Sequence, residues 1–254
     1  MAHLTALDDA AWQGPWRHVR VGEKVALSGG LLLTALVAPA WPGAVLVALA
    51  CVVLTCGPAR IPARTLALAM APPLTFLLVG GATVAVVLGG TPPPTAYFAW
   101  GPLWADPTTV GTGATAVARG LAGTLAIMLL ATTTPMVDVL AWVRRRGLPA
   151  PLVDIASLTY RLLFVLLGSA LAIRAAQVAR LGRPTPATVA SAMGALLVRS
   201  WTRAAHLQAG LEGRGYVDDL PTLPVPRAAS ATFMATTVAV LALIWGLIAI
   251  VVVV

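Results

Sequence analysis

Nine carboxylates, three histidines and two cysteines are the whole acid–base and metal-ligating stock of this 254-residue chain. They are scattered: His3, His18 and His206 lie in separate polar segments, and neither a His-Glu-x-x-His nor a Gly-x-Ser-x-Gly spacing occurs. Asp8-Asp9 and Asp218-Asp219 read as caps and solvated turns. Cys51 and Cys56 fall on different faces of one apolar helix, which gives neither a disulfide framework nor a metal site. A P-loop needs a Gly-rich turn ending in Lys-Ser or Lys-Thr, and the single lysine, Lys24, is followed by Val25. The chain is therefore expected to catalyse nothing and to hold neither a metal nor ATP.

Arginine is what remains. Sixteen arginines and Lys24 give a formal net charge of +8, and their placement alternates along the chain. Arg17, Arg20 and Lys24 precede the first apolar stretch, Arg60 and Arg64 separate the second from the third, and Arg144, Arg145 and Arg146 follow the fourth. The intervening connections, Pro39–Gly43 and Gly89–Thr109, carry no basic residue. Short loops rich in Lys and Arg stay in the cytoplasm, so the chain reads as polytopic, with its N-terminus cytoplasmic and its C-terminus outside. A hydrophobic fraction of 59% with 10% charged residues agrees, against about a quarter charged in soluble domains. The basic excess is topological, and no nucleic acid partner is expected. No cleavable signal peptide is expected either, because the first 24 residues are polar.

Five spans carry this topology, at about residues 25–38, 44–56, 66–88, 109–133 and 229–254. The first two are short beside the ~20 residues a bilayer asks for and form a tight hairpin about Pro39, Trp41, Pro42 and Gly43, with a shallow re-entrant pair as the alternative. The third contains Pro72-Pro73, whose freed carbonyls call for Thr75 or a neighbouring helix. The fourth carries Arg119 at its middle, beside a stripe of Thr112, Ala116, Gly120 and Thr124 suited to close helix packing. A charge at that depth faces the bundle interior or a wet cavity.

Residues 1–134 thus form a cytoplasmic start and four spans, residues 135–228 a cytoplasmic region, and residues 229–254 the last span. In the middle region Thr134-Pro135 and Thr185-Pro186 each read as a cap followed by proline at the first helical position, and Gly147 with Pro149 reads as a stop. The predicted helices run over about 135–146, 151–181 and 185–214. The second is interfacial or buried, because Asp154 and Arg161 at one end and Arg174 and Arg180 at the other leave too short an apolar run. The third puts Arg199, Arg203, His206, Gly210 and Arg214 on one face. Such a stripe docks either on protein or on anionic lipid.

From Pro135 onward the chain resembles the transmembrane T component of energy-coupling factor (ECF) importers, the EcfT/CbiQ family. The resemblance rests on Thr132-Thr133-Thr134-Pro135, Gly147-Leu148-Pro149 and Leu158-Thr159-Tyr160-Arg161, and on a pair of short Ala-Arg-Gly signatures ending two coupling helices. Here the second signature stands as Gly213-Arg214-Gly215, with Gly for Ala. The first stands as Ala179-Arg180-Leu181-Gly182-Arg183, with an extra Leu, so Arg180 or Arg183 fills its place. The stretch from Asp9 through Trp16-Arg17 to Gly22-Glu23-Lys24 is similar to the cobalt-import branch.

The resemblance implies an all-α polytopic subunit that couples two P-loop ATPases, CbiO-like, to a membrane S component, CbiM-like, and leaves room for a small accessory membrane subunit. ATP would be bound by the ATPases and Co²⁺ by the S component. Arg180, Gly182, Arg183, Arg199, Arg203, Gly213, Arg214 and Gly215 are the expected partner-coupling residues. An intramembrane enzyme such as a phosphotransferase is the alternative of another class. A nickel or vitamin importer is the alternative within the family.

Overall fold

A computed structural model describes residues 10–89, 93, 95–100, 103–180, 185–215 and 227–253. Among the described residues the regular structure is helical apart from one small sheet, so the all-α polytopic expectation holds. Eight helices are followed here: α1 (Val21–Val37), α2 (Val45–Cys56), α3 (Ala63–Ala85), α4 (Pro107–Thr133), α5 (Met136–Arg145), α6 (Ala150–Ala179), α7 (Pro186–Glu212) and α8 (Ala231–Val253). They fall into two compact units, one of Met1–Met136 with Pro226–Val254 and the other of Val137–Val225.

The first unit is the membrane bundle. Leu31, Val47, Cys51, Ala122, Ala126 and Leu129 are buried in its core, where α1, α2 and α4 meet. Its outer surface is apolar: α3 buries Leu66, Met70 and Gly81 and presents Phe76, Leu78 and Val79 outward. Hydrocarbon displayed on that scale is stable in lipid and unstable in water. α3, α4 and α8 are each long and apolar enough to cross a bilayer, and so is α6 in the second unit. The sequence expectation gave α6 an interfacial place; by length and hydropathy alone it also qualifies as a span. The first two expected spans are shorter, 17 residues for α1 and 12 for α2, or about 25 and 18 Å at about 1.5 Å per residue.

α3 and α4 make the closest contact in the bundle. A Cβ built on Gly113 would stand 2.6 Å from the Gly81 carbonyl oxygen, and one on Gly120 would stand 2.4 Å from a Leu77 methyl. Backbone therefore lies on backbone, as small residues permit. The expected stripe is corrected in part: Gly120 faces α3, but Thr112 and Ala116 are exposed. α3 seats instead along Gly113, Val117 and Gly120, whose three- and four-residue spacing follows the 3.6-residue turn more closely than a strict fourfold repeat.

Two details differ from the sequence expectation. The Thr75 hydroxyl donates to the Ala71 carbonyl at 2.7 Å, not to the Leu68 and Ala69 carbonyls that Pro72 and Pro73 leave free. The connection after α3, which carries no basic residue, also holds an antiparallel sheet, β1 (Val87–Leu88), β2 (Phe98–Trp100) and β3 (Leu103–Ala105), in the order β1-β3-β2. Trp104 pairs with Val87 on one side and Ala99 on the other, and its indole N–H donates to the Gly89 carbonyl at 2.8 Å.

Candidate functional site: a helix-end clamp, an intramembrane arginine and a coupling region

At one end of the bundle two adjacent residues of opposite charge serve two helix ends. Lys24 is 2% exposed, and its ammonium donates to the Thr133 carbonyl at 2.7 Å, on the last turn of α4. Glu23 is also buried. Its Oε1 accepts from the Ser230 amide at 2.8 Å, just before α8. Ser230 caps α8 in turn, accepting from the Phe233 amide at 3.2 Å through its hydroxyl. A cation thus meets the negative end of one helix dipole and an anion the positive end of another. Trp16 packs edge-to-face on Phe233 with centroids 5.1 Å apart, and Arg20 donates to the Arg227 carbonyl at 2.7 Å.

Glu23 Oε2 and the Thr134 hydroxyl are buried there without a hydrogen-bond partner among the described residues. Thr134 thus does not cap α5 as expected: its hydroxyl bonds no amide of that helix and is packed into the bundle. The clamp itself escaped the sequence reading. Lys24 counted there as a topological charge, and its partner carbonyl lies 109 residues away.

Arg119 stands thirteenth of the 27 residues of α4. Its guanidinium donates to the Ala38 carbonyl at 3.2 Å, where α1 ends and the chain turns toward α2. That carbonyl lies at the end of α1, which reaches the level of Arg119 on α4. The residue is exposed on the isolated chain.

The second unit holds α5, α6 and α7. Gly147, at φ +97°, lets the chain turn after α5. Arg144 pairs with the buried Asp154 at 3.7 Å, which ties α5 to the N-terminal part of α6. Gln177 of α6 donates to the Thr188 carbonyl of α7 at 3.2 Å. Thr185 caps α7 as expected, in a reciprocal capping box with Thr188. No residue of α7 is buried. Along one side run Val189, Met193, Leu197 and Trp201, the last 78% exposed.

Arg199, Arg203 and Arg214 are all exposed, and their side chains make no hydrogen bond or ion pair with any described residue. Glu212 does not neutralise them, since its Oε1 accepts from the Gln208 amide at 2.6 Å. Arg180 ends α6 with its side chain likewise exposed and unengaged; Gly182 and Arg183 lie outside the described residues. Gly215 sits at φ +73°, a conformation that favours glycine. Gly213 is helical, and a Cβ there would come within 3.3 Å of the Ala209 carbonyl oxygen.

Among the described residues no cluster of His, Cys, Asp and Glu is placed to hold a metal ion. What the molecule offers is a lipid-facing bundle and an arginine-lined helical region with uncovered surfaces.

Comparison with known proteins places these features. The family described as cobalt transport protein, CbiQ, matches residues 13–223. The chain is 37% identical to the cobalt transport protein CbiQ of Rhodobacter capsulatus over 231 residues, covering 89% of this chain and 91% of that protein. It is 32% identical to the cobalt transport protein CbiQ of Salmonella typhimurium over 182 residues, 70% of this chain and 80% of that one. A putative fused cobalt transport protein CbiMQ of Methanocorpusculum labreanum is 29% identical over 187 residues, which are 69% of this chain and 30% of the fusion. This membrane chain belongs to the CbiQ family of cobalt transport proteins.

Proposed function

We propose that the chain is the transmembrane coupling subunit of an ECF-type importer of a divalent transition metal, Co²⁺ first among them. It catalyses nothing itself and binds neither metal nor nucleotide. Two P-loop ATPases supply ATP-driven motion, and a separate CbiM-like membrane subunit holds the metal. The connections rich in arginine, with the N-terminus, lie in the cytoplasm, and the C-terminus lies outside.

The observation that carries this reading is α7. It buries none of its residues within the chain, exposes Met193, Leu197 and Trp201, and leaves Arg199, Arg203 and Arg214 without internal partners. Arginine suits a docking end because its planar fork pairs carboxylates bidentately and keeps its charge when partly desolvated. The CbiMQ fusion supports a CbiM-like partner, since one chain there carries both names.

The test is purification from native membranes with identification of whatever accompanies the chain. Two ATPase subunits and a membrane subunit that binds Co²⁺ are expected. Recovery of the chain without any ATPase, from cells that take up the metal equally well without it, would contradict the proposal.

A further inference from the structure

Two contacts set α1 against α4. Lys24 donates to the Thr133 carbonyl at one end, and Arg119 donates to the Ala38 carbonyl at the other. Fourteen residues separate Lys24 from Ala38, and fourteen separate Arg119 from Thr133. The two helices therefore run in step for about 21 Å. α1 ends there and the chain folds back through Pro39–Gly43, while α4 continues past Arg119 for about 18 Å more to its cap at Asp106. Over that outer half α4 stays paired with α3 at Gly113.

α4 as a whole is about 40 Å long, close to a bilayer with its headgroup regions. Arg119 and the Pro39–Gly43 turn consequently sit near the bilayer midplane. Non-helical backbone at that depth, at Ala38 and Trp41, persists only where protein or a wet cavity meets it. Arg119 meets one such carbonyl with one of its five N–H donors. The other donors find no described residue, and a guanidinium at that depth faces lipid only at high cost. On the same exposed face, farther out, stand Thr112 and Ala116. The Thr112 hydroxyl is spent on the Thr108 carbonyl at 2.8 Å, which leaves a surface of low relief.

The geometry points to α1–α2 as a re-entrant hairpin that stops at the midplane and leaves the outer half of α4 as a docking surface. Its occupant is a transmembrane helix of a separate membrane subunit, bearing a carboxylate that pairs with Arg119. A carboxylate matches the arginine fork bidentately, and the pair takes an uncompensated charge out of hydrocarbon. This rests on the proposed function for the existence of a membrane partner, and extends it by naming the face and the chemistry of the contact.

The test uses the whole complex purified from membranes, scoring the ATPases and the membrane subunit separately. Ala116→Trp adds bulk on an exposed face. Ala116→Trp and Arg119→Gln are each expected to lower recovery of the membrane subunit by about tenfold or more, with the ATPases and the elution profile unchanged. Arg119→Glu should regain the partner when a carboxylate of the partner's helix is changed to Arg. Full recovery from Ala116→Trp would show a lipid face and overturn the inference. So would an Arg119→Gln variant that loses folded chain while each surviving molecule retains its membrane subunit, since Arg119 would then only clip Ala38. Wild-type chain that brings down the ATPases but no membrane subunit would remove the premise and the inference together.

Discussion

A lysine that is 2% exposed in a membrane bundle is costly unless its charge is used. Lys24 uses it at the C-terminal end of α4, and Glu23, its neighbour, answers the N-terminal end of α8. Hydrogen bonds to charged groups are worth about 1.5–3 kcal/mol. Lys24→Met is expected to destabilise the chain by about 2 kcal/mol, seen as a lower melting temperature in detergent, and Glu23→Gln to do so less because the amide oxygen still accepts from Ser230. An unchanged melt for Lys24→Met would remove the clamp from the account. In the sequence Lys24 was visible as a sign-bearing residue and nothing more, because the burial depends on a carbonyl contributed by a distant helix end. Arg119 was legible as anomalous from its place within an apolar run, but its partner was not, since the reach of α1 is a packing result.

At the scale of elements, the helices were the most legible part. Thr185-Pro186 starts α7 and Gly147 ends the turn after α5 as the spacing predicted. Thr134-Pro135 has the same pattern, yet the Thr134 hydroxyl is buried without a partner; a local motif cannot anticipate that the bundle claims the residue first. The sheet β1-β3-β2 was missed because its strands are two and three residues long, too short for alternation to register.

The α3–α4 contact makes a sharp prediction. Gly113→Val should separate the helices and abolish folded protein, whereas Gly111→Val, where a Cβ meets nothing within 4 Å, should leave yield and melting unchanged. Gel filtration of the two variants in detergent checks this, and equal profiles would refute the close contact.

The cap of α4 gives a pH test. The Thr109 amide and the Thr108 hydroxyl hold the Asp106 carboxyl below its usual range. Its folded value is thus lower than the unfolded one, near 3.9. The stabilisation is present above that unfolded value and is lost as pH falls through the lower folded value. Asp106→Asn keeps an acceptor without the charge. The advantage of wild type over this variant in melting temperature should hold at neutral pH and vanish on acidification below about pH 4. A difference that persists into acid would count against the ionised cap.

For the whole molecule, eight basic residues in short connections against none opposite predict a topology before any helix is drawn. Cysteine labelling from either side of the membrane should find position 60 or 64 reactive from the cytoplasm and position 97 from outside; the reverse pattern would invert the assignment. What composition could not show is that α7 buries none of its residues, since an amphipathic pattern looks the same whether its partner is its own chain or another. The central claim is that this region docks on ATPases through its arginines. Its most direct test is Arg214→Glu in the complete complex, measuring metal uptake, ATP hydrolysis and ATPase recovery together. Breaking one side of a buried charged contact costs about 2–5 kcal/mol. The account predicts inserted, folded protein that loses the ATPases or uncouples hydrolysis from uptake. Normal uptake with a fully recovered complex would contradict it.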